Sequence, residues 1–320
     1  MALAQQPDLS VVVPMYNEAS VLSLFWKRLS SVLAGMPEVR TEIVFVDDGS
    51  RDDSAKRVSI LQKQDSRIRL LVLSRNFGKE AAMTAGLDHC RGDRVLIIDA
   101  DLQDPPELLP KMWALANEGF DVVIPQRTAR PGETASKVFF SEAFYWFMRR
   151  IRANVTLTSG TGDFRLFSRE AVDAIKQLRE QNRFMKGIFD WVGYKRVFLP
   201  YQREPRARGL SKFNFFSLLG LAINGITSFS TAPLKLATIA GCVAALSAFA
   251  FGVYIICKTL IYGDPVRGFP TLAVTILFSS GVQLLTIGIL GEYIGRIYNE
   301  VKGRPLYVCK AAEHSADSSA

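Results

Sequence analysis

The segment Asp99-Ala100-Asp101-Leu102-Gln103-Asp104-Pro105-Pro106-Glu107 places four carboxylates in nine residues, directly after the apolar run Val95-Leu96-Ile97-Ile98. Close carboxylates repel one another, so such a cluster at the end of a buried strand calls for a compensating charge. In an extended segment, side chains at i and i+2 point the same way. That spacing would bring Asp99, Asp101 and Gln103 to one side and leave Ala100 and Leu102 on the other. Two carboxylates and an amide oxygen are hard ligands, suited to Mg²⁺ or Mn²⁺ rather than zinc. A cation of that kind relieves the repulsion and keeps coordination sites for substrate phosphates. Acidic turns also occur without any metal, and a lone DxD admits that reading too. Pro105 and Pro106 stop the extended run, and Glu107 falls near the start of a helix expected over 107–118, where the dipole favours an acid.

The elements that must position this cluster share one pattern, a short apolar run followed by acidic or turn residues. Residues 9–13 precede PMYNE, 43–46 precede DDGS, and 95–98 precede DADLQ; 70–73 and 121–124 precede SRNFGKE and PQR. Continuous β-branched runs of this length suit strands buried on both faces of a mainly parallel sheet. Helices are expected between them, over 18–33 with a 3.6-residue apolar stripe, over 50–64 with Ser50 as N-cap ahead of Asp52 and Asp53, and over 80–90. Alternating strands and helices predict an α/β, Rossmann-like fold whose ligands sit beyond the C-terminal strand ends. All the polar clusters fall at those ends.

Two stretches lie apart from this domain. Residues 236–257 and 268–291 are 22 and 24 residues without a charge. As helices each would span roughly 33–36 Å, enough for a hydrocarbon core of about 30 Å. They predict a C-terminal transmembrane hairpin. Arg203, Arg206, Arg208, Lys212 and Lys235 precede it and Arg296, Lys302, Arg304 and Lys310 follow it, so both ends are expected to face the cytoplasm. MALAQQPDLS has neither the basic nor the apolar region of a secretory signal, which keeps the catalytic part cytosolic in this reading. Residues 136–151 and 213–230 have the composition of helices lying in the membrane interface. The domains expected are therefore 1–212 catalytic, 213–232 juxtamembrane, 233–295 transmembrane and 296–320 a cytoplasmic tail.

The net charge of +8 fits a protein that sits on anionic lipid and handles phosphate, and with the hairpin present a nucleic-acid partner is not expected. Cys90, Cys242, Cys257 and Cys309 have no CxxC spacing, and His89 and His314 have no partner at ligand spacing, so neither disulfides nor zinc are expected. Gly291 and Gly295 form a small-xxx-small pattern that permits close helix contact, within the hairpin or in a homo-oligomer.

The ordered series VPMYNE (13–18), VDDGSRD (46–52), RNFGKE (75–80) and DADLQDPPE (99–107) resembles the motifs of family 2 glycosyltransferases with the GT-A fold. Downstream, TGDFRLF (161–167), RFMKG (183–187), REPRARGLSKFN (203–214) and LGEYIGRIYNEVKGRPLYV (290–308) are similar to the polyisoprenyl-phosphate subgroup, which includes dolichyl-phosphate mannose synthase and bacterial GtrB-type enzymes. The resemblance covers residues 9–310. It implies that Pro14, Tyr16 and Glu18 line the nucleotide pocket, with Asp47 at the base edge and Lys79 near the nucleotide. It implies that Asp99, Asp101 and Gln103 hold metal and diphosphate. Arg127, Lys137, Ser141, Arg206 and Lys212 would hold donor and acceptor phosphates. At Lys137 the dolichyl-phosphate enzymes tend to carry arginine, and a point charge there replaces a bidentate fork.

The charge balance agrees with this. A lipid monophosphate brings about −1.5 to −2 charges beside a diphosphate leaving group, which demands a cation and several basic side chains. Its second pKa of about 6 leaves it largely ionised, so little base catalysis is needed. Asp163 is then either a base or a group that positions the acceptor. The reaction expected is inverting transfer of a sugar, glucose first, from a UDP-sugar to undecaprenyl phosphate or a similar lipid at the cytoplasmic face of the inner membrane. Other donors compete: an aminoarabinose derivative, a uronic acid or GDP-mannose. A processive polysaccharide synthase would carry a QxxRW-like signature and more spans. A non-catalytic scaffold would not need an intact DADLQ, and a dinucleotide oxidoreductase would need a G-x-G-x-x-G that is missing from the first helix.

Overall fold

Short, β-branched apolar runs without polar alternation are satisfied when a strand is covered on both faces. The protein's structure, a computed structural model, describes residues 6–128, 160–201, 232–262 and 268–310. Its strands are β1 (Leu9–Met15), β2 (Thr41–Asp47), β3 (Ile68–Val72), β4 (Arg94–Ile97), β5 (Val122–Arg127), β6 (Arg165–Ser168) and β7 (Arg196–Tyr201). They form one sheet in the order β3-β2-β1-β4-β6-β5-β7. β1 is parallel to β2 and β4, β2 to β3, and β5 to β7; β6 runs antiparallel between β4 and β5. The sheet is thus mainly parallel, as expected.

Successive side chains of the central strands enter opposite cores. Val11, Val13, Ile43, Phe45 and Leu96 pack with Leu22, Phe25 and Leu29 of α1 (Ala19–Ala34) and with Met112. Val12, Val44, Val46, Val95 and Ile97 pack on the other face with Ala82 and Met83 of α3 (Lys79–His89) and with Val172 and Ile188. A Cβ on Gly86 would come within 2.2 Å of Val12 Cγ1, so only glycine lets α3 lie this close to β1. The remaining helices of the domain are α2 (Ser54–Gln64), α4 (Leu109–Asn117), α5 (Arg169–Gln177) and α6 (Met185–Trp191).

Three local expectations need correction. Helix α2 starts at Ser54, because the Asp52 carboxylate accepts from both the Ser54 backbone N–H and its hydroxyl, while the Ser50 hydroxyl accepts from Asn17 N–H. The chain is not extended over 99–103: β4 ends at Ile97 and Leu102 has φ 62°, so i/i+2 alternation does not organise DADLQ. After the prolines comes a single 3₁₀ turn (Pro106–Leu108) before α4, and Glu107 is held by the Arg28 fork at 2.7 and 2.8 Å.

Helices α7 (Ala232–Tyr262) and α8 (Phe269–Val301) contact each other and cover residues 236–257 and 269–291 of the two uncharged stretches. Among the described residues, Ala237–Tyr254 of α7 forms a stretch long and apolar enough to cross a membrane. Large apolar side chains such as Leu246, Phe249, Leu284 and Ile287 are exposed on both helices, which in water would be costly. Among the described residues nothing lies within 4 Å of a Cβ built on Gly291 or Gly295. The expected interfacial helices over 136–151 and 213–230 lie outside the described residues.

Candidate active site

The C-terminal ends of β1, β2, β3 and β4 deliver PMYNE, DDGS, the 74–78 loop and DADLQ to one edge of the sheet. The first two are laced together. Asn17 (φ 56°) donates its N–H to Ser50 Oγ and accepts from Arg51 N–H through Oδ1, and Glu18 N–H donates to Ser54 Oγ. Gly49 (φ 69°) lies against the backbone of Arg75 and Asn76, where a Cβ would come within 2.6 Å. Pro14 is buried in β1 opposite Val46, whereas Tyr16 is 39% exposed at the strand end. Asp47 is buried and accepts from Ser50 N–H at 3.2 and 3.3 Å; burial pushes its carboxyl up.

Lys79 joins two of the sequence motifs. Its ammonium donates to Asp99 Oδ2 and to Asp163 Oδ2, each at 2.7 Å. Burial opposes its charge, but the two carboxylates prevail and raise its pKa. The carboxylates respond in opposite directions. Burial, with Asp163 and Asp104 nearby, pushes Asp99 up to about 6 despite Lys79. Burial also raises Asp163, but Lys79, Lys186 and Arg165 outweigh it and hold Asp163 below the usual range. Asp163 is therefore a carboxylate at neutral pH, and Oδ1 is buried with no partner among the described residues.

Around Lys79, Asp99 and Asp163 the chain supplies supports whose roles the sequence motifs did not announce, although several of the residues lie inside those motifs. Asp48 accepts from Phe77 and Gly78 N–H (2.7 and 2.9 Å), fixing the loop that ends in Lys79. Asp104 is buried and accepts from the Tyr201 hydroxyl at 2.8 Å, with Arg127 Nη2 at 3.4 Å and Arg127 Nε donating to the same hydroxyl. This cluster ties DADLQD to the ends of β5 and β7. Arg165, almost fully buried, pairs with Asp190 at 2.7 Å and donates to the Gly162 carbonyl, beside Asp163. Glu80 accepts from Met185 N–H at 2.8 Å; burial and the Asp163 charge push it up to about 7.

The shift on Glu80 gives a stability signature. Its carboxyl is protonated in the fold at pH values where the unfolded chain has lost that proton, so folding takes up a proton between about pH 4.5 and 7. Stability from this group therefore falls as pH rises through that window. Glu80→Gln is expected to flatten the decline of Tm between pH 5 and 8 relative to wild type; parallel curves would refute it.

Of the residues expected at the site, Asp99, Asp163 and Lys79 are in direct contact. Asp101 Oδ1 accepts from Gln103 N–H at 3.0 Å, and Gln103 is buried with Nε2 lacking a partner among the described residues. Arg127 is turned toward Asp104 and Tyr201. Lys137, Ser141, Arg206 and Lys212 lie outside the described residues. Among the described residues no group of three or more His, Cys, Asp or Glu side chains forms a complete ligand set. The candidate ligand atoms at DADLQ are oxygens, two groups of them carboxylates, and across Lys79 the buried Asp163 Oδ1 has no partner among the described residues. That suits a hard cation that takes few protein ligands and fills the rest from phosphates and water.

Residues 10–176 match Glycosyl transferase family 2, and residues 232–297 match the GtrB C-terminal hairpin. The chain is 45% identical to an uncharacterized glycosyltransferase of Synechocystis, over 94% of each chain. It is 45% identical to the SfII prophage-derived bactoprenol glucosyl transferase of Shigella flexneri, covering 94% of this chain and 97% of that one. It is 43% identical to the prophage bactoprenol glucosyl transferase homolog of Escherichia coli K12, covering 94% and 98%.

Proposed function

Since this chain belongs to glycosyl transferase family 2 and carries a GtrB-type C-terminal hairpin, we propose that it transfers glucose from UDP-glucose to a polyprenyl phosphate such as undecaprenyl phosphate. The observation that carries this reading is the Lys79 clamp, which brings the acids of DADLQ and TGDF to one point at the sheet edge. The glucose and the lipid are supported by the bactoprenol glucosyl transferases that match nearly the whole chain. The reaction is placed at the cytoplasmic face of the inner membrane, with the hairpin as anchor.

In this reading Asp99 and Asp101, with Gln103, hold Mg²⁺ or Mn²⁺, which when bound neutralises the donor diphosphate. The protein's own groups do the rest. Tyr16 and Asp47 receive the nucleotide, and Lys79 keeps Asp99 ionised and in place. The acceptor phosphate is already an anion and attacks the anomeric carbon opposite the diphosphate, inverting its configuration. Asp163, held below the usual carboxylate range, is a poor base, so it positions the attacking group and Lys79 instead of taking a proton. Lys137, Ser141, Arg206 and Lys212 are assigned to phosphate charge.

Membranes containing the protein, given radiolabelled UDP-glucose and undecaprenyl phosphate, should move label into the organic phase as an alkali-stable, acid-labile glycolipid. UDP-glucuronic acid, a UDP-aminoarabinose derivative and GDP-mannose serve as competing donors. Transfer from one of these with none from UDP-glucose would reassign the sugar; no lipid-linked label from any donor would sink the proposal.

A further inference from the structure

Beyond α8 the chain turns back onto the catalytic domain. Cys309 forms an antiparallel bridge with Leu73, just past β3, which is an edge strand of the sheet. Ser74 N–H donates to the Val308 carbonyl at 2.7 Å, and Lys310 N–H to the Val72 carbonyl at 2.8 Å. The Tyr307 hydroxyl donates to Asp88 Oδ2 at 2.8 Å, where Arg179 also binds at 2.8 Å, and the Tyr307 ring meets His89 edge-on at 6.1 Å. Tyr307 and Cys309 pack against the core on the α3 face of the sheet. The end of α8 is fastened as well: Gln181 N–H donates to Glu300 Oε1, and Gln181 Nε2 to the Arg304 carbonyl.

These contacts fall at both ends of one stretch of chain. Leu73 and Ser74 are gripped through the backbone, Asp88 and His89 through Tyr307, and Lys79 starts the helix between them. The short link from Val301 to Leu306 reaches at most about 17 Å, too little to act as a loose tether. Capping an exposed strand edge would be reason enough for the bridge alone. It would not explain why the capping strand is joined so directly to a membrane helix, nor the separate clasp on Gln181.

We propose that Tyr307–Lys310 is a positioning strap that, with the Gln181 clasp, holds the Lys79-bearing part of the site at a fixed place relative to the membrane hairpin, so that it meets an acceptor phosphate presented by the bilayer. This rests on the lipid-phosphate reading above. Positional errors of ångströms far from the reacting atoms cost about a hundredfold in rate, so a rigid connection has value where one substrate is confined to a surface.

The test separates connection from folding. Roughly eight Gly/Ser residues inserted between Lys302 and Gly303, with a mean reach of about 16 Å, leave the strap docked but free it from α8. Gln181→Ala together with Glu300→Ala removes the clasp in the same protein, since one of its two bonds is donated by the Gln181 backbone N–H to the Glu300 carboxylate. Full-length protein in proteoliposomes is assayed with UDP-glucose and two acceptors, bilayer-embedded undecaprenyl phosphate and a water-soluble short-chain isoprenyl phosphate. Transfer to the embedded lipid is expected to fall about ten- to a hundredfold, with transfer to the soluble acceptor within about twofold of wild type. Equal rates with both acceptors, or a parallel loss on both, would overturn the strap. If the insertion unfolds the protein, Tyr307→Phe decides by the same split at several-fold, since it keeps the ring and deletes one hydrogen bond. Wild type inactive on both acceptors would instead overturn the functional reading.

Discussion

Lys79→Met is expected to lower kcat for sugar transfer by about a hundredfold or more at pH 7, with only a small change in Tm. The ammonium lies 2.7 Å from one oxygen each of Asp99 and Asp163, two carboxylates from motifs far apart in the chain. Remove it and like charges face each other, with Asp99 already raised to about 6 by burial. Asp99 should then move further up and hold a proton at neutral pH. Asp163 loses the largest of the charges that keep it ionised. Preorganised charge at a reacting centre contributes about 2.7–4 kcal/mol per group, which sets the scale of the kinetic loss. Stability changes less, by about 1 kcal/mol, because the Lys79 side chain is 44% exposed and solvent screens the pairs. The acid limb of the pH–rate profile should also shift upward, because a raised carboxyl needs a higher pH to ionise. Lys79→Arg should restore part of the rate by keeping the charge. A methionine variant within threefold of wild type, with an unmoved acid limb, would remove the clamp from the mechanism.

Much of this architecture was legible from apolar runs. Val11–Val13, Ile43–Val46 and Val95–Ile97 suited strands buried on both faces, which put the acids after them at the strand ends where α/β folds bind ligands. The two uncharged stretches announced helices α7 and α8 just as directly. Strands β6 and β7 were not legible. β6 is four residues long and begins with a buried arginine, and β7 ends in Pro200-Tyr201, so neither has the greasy signature. The antiparallel insertion of β6 is what carries Asp163 to DADLQ, and no local pattern encodes a pairing between residues 94–97 and 165–168. The same holds for Lys79, whose partners lie 20 and 84 residues away. Composition suggested a metal as the relief for crowded acids. It could not reveal that Lys79 relieves Asp99, together with Asp163 from a distant motif, and that Tyr201 and Arg127 occupy Asp104.

That division of the acids leads to the sharpest contrast within DADLQDPPE. Asp101→Ala is expected to reduce transfer about a thousandfold and to abolish the stabilisation that Mn²⁺ confers. Among the described residues its carboxylate accepts from the nearby Gln103 N–H, and none of the tertiary contacts above depends on it. Deleting the carboxylate should leave the unligated Tm nearly unchanged. A cation that binds the folded protein alone raises stability by RT ln(1 + [L]/Kd), about 2.7 kcal/mol at a hundredfold excess over Kd. Wild type should therefore show a Mn²⁺-dependent rise in Tm that Asp101→Ala lacks, a measurement independent of turnover. Asp104→Ala should behave in the opposite way. It strands the buried Tyr201 hydroxyl and the Arg127 guanidinium, so Tm drops by several degrees while the Mn²⁺ response persists. If Asp101→Ala keeps its Mn²⁺ shift and transfers sugar in the presence of chelator, the metal assignment at this strand end is wrong. If Asp104→Ala loses the shift as well, the metal draws on the whole cluster instead of its first half.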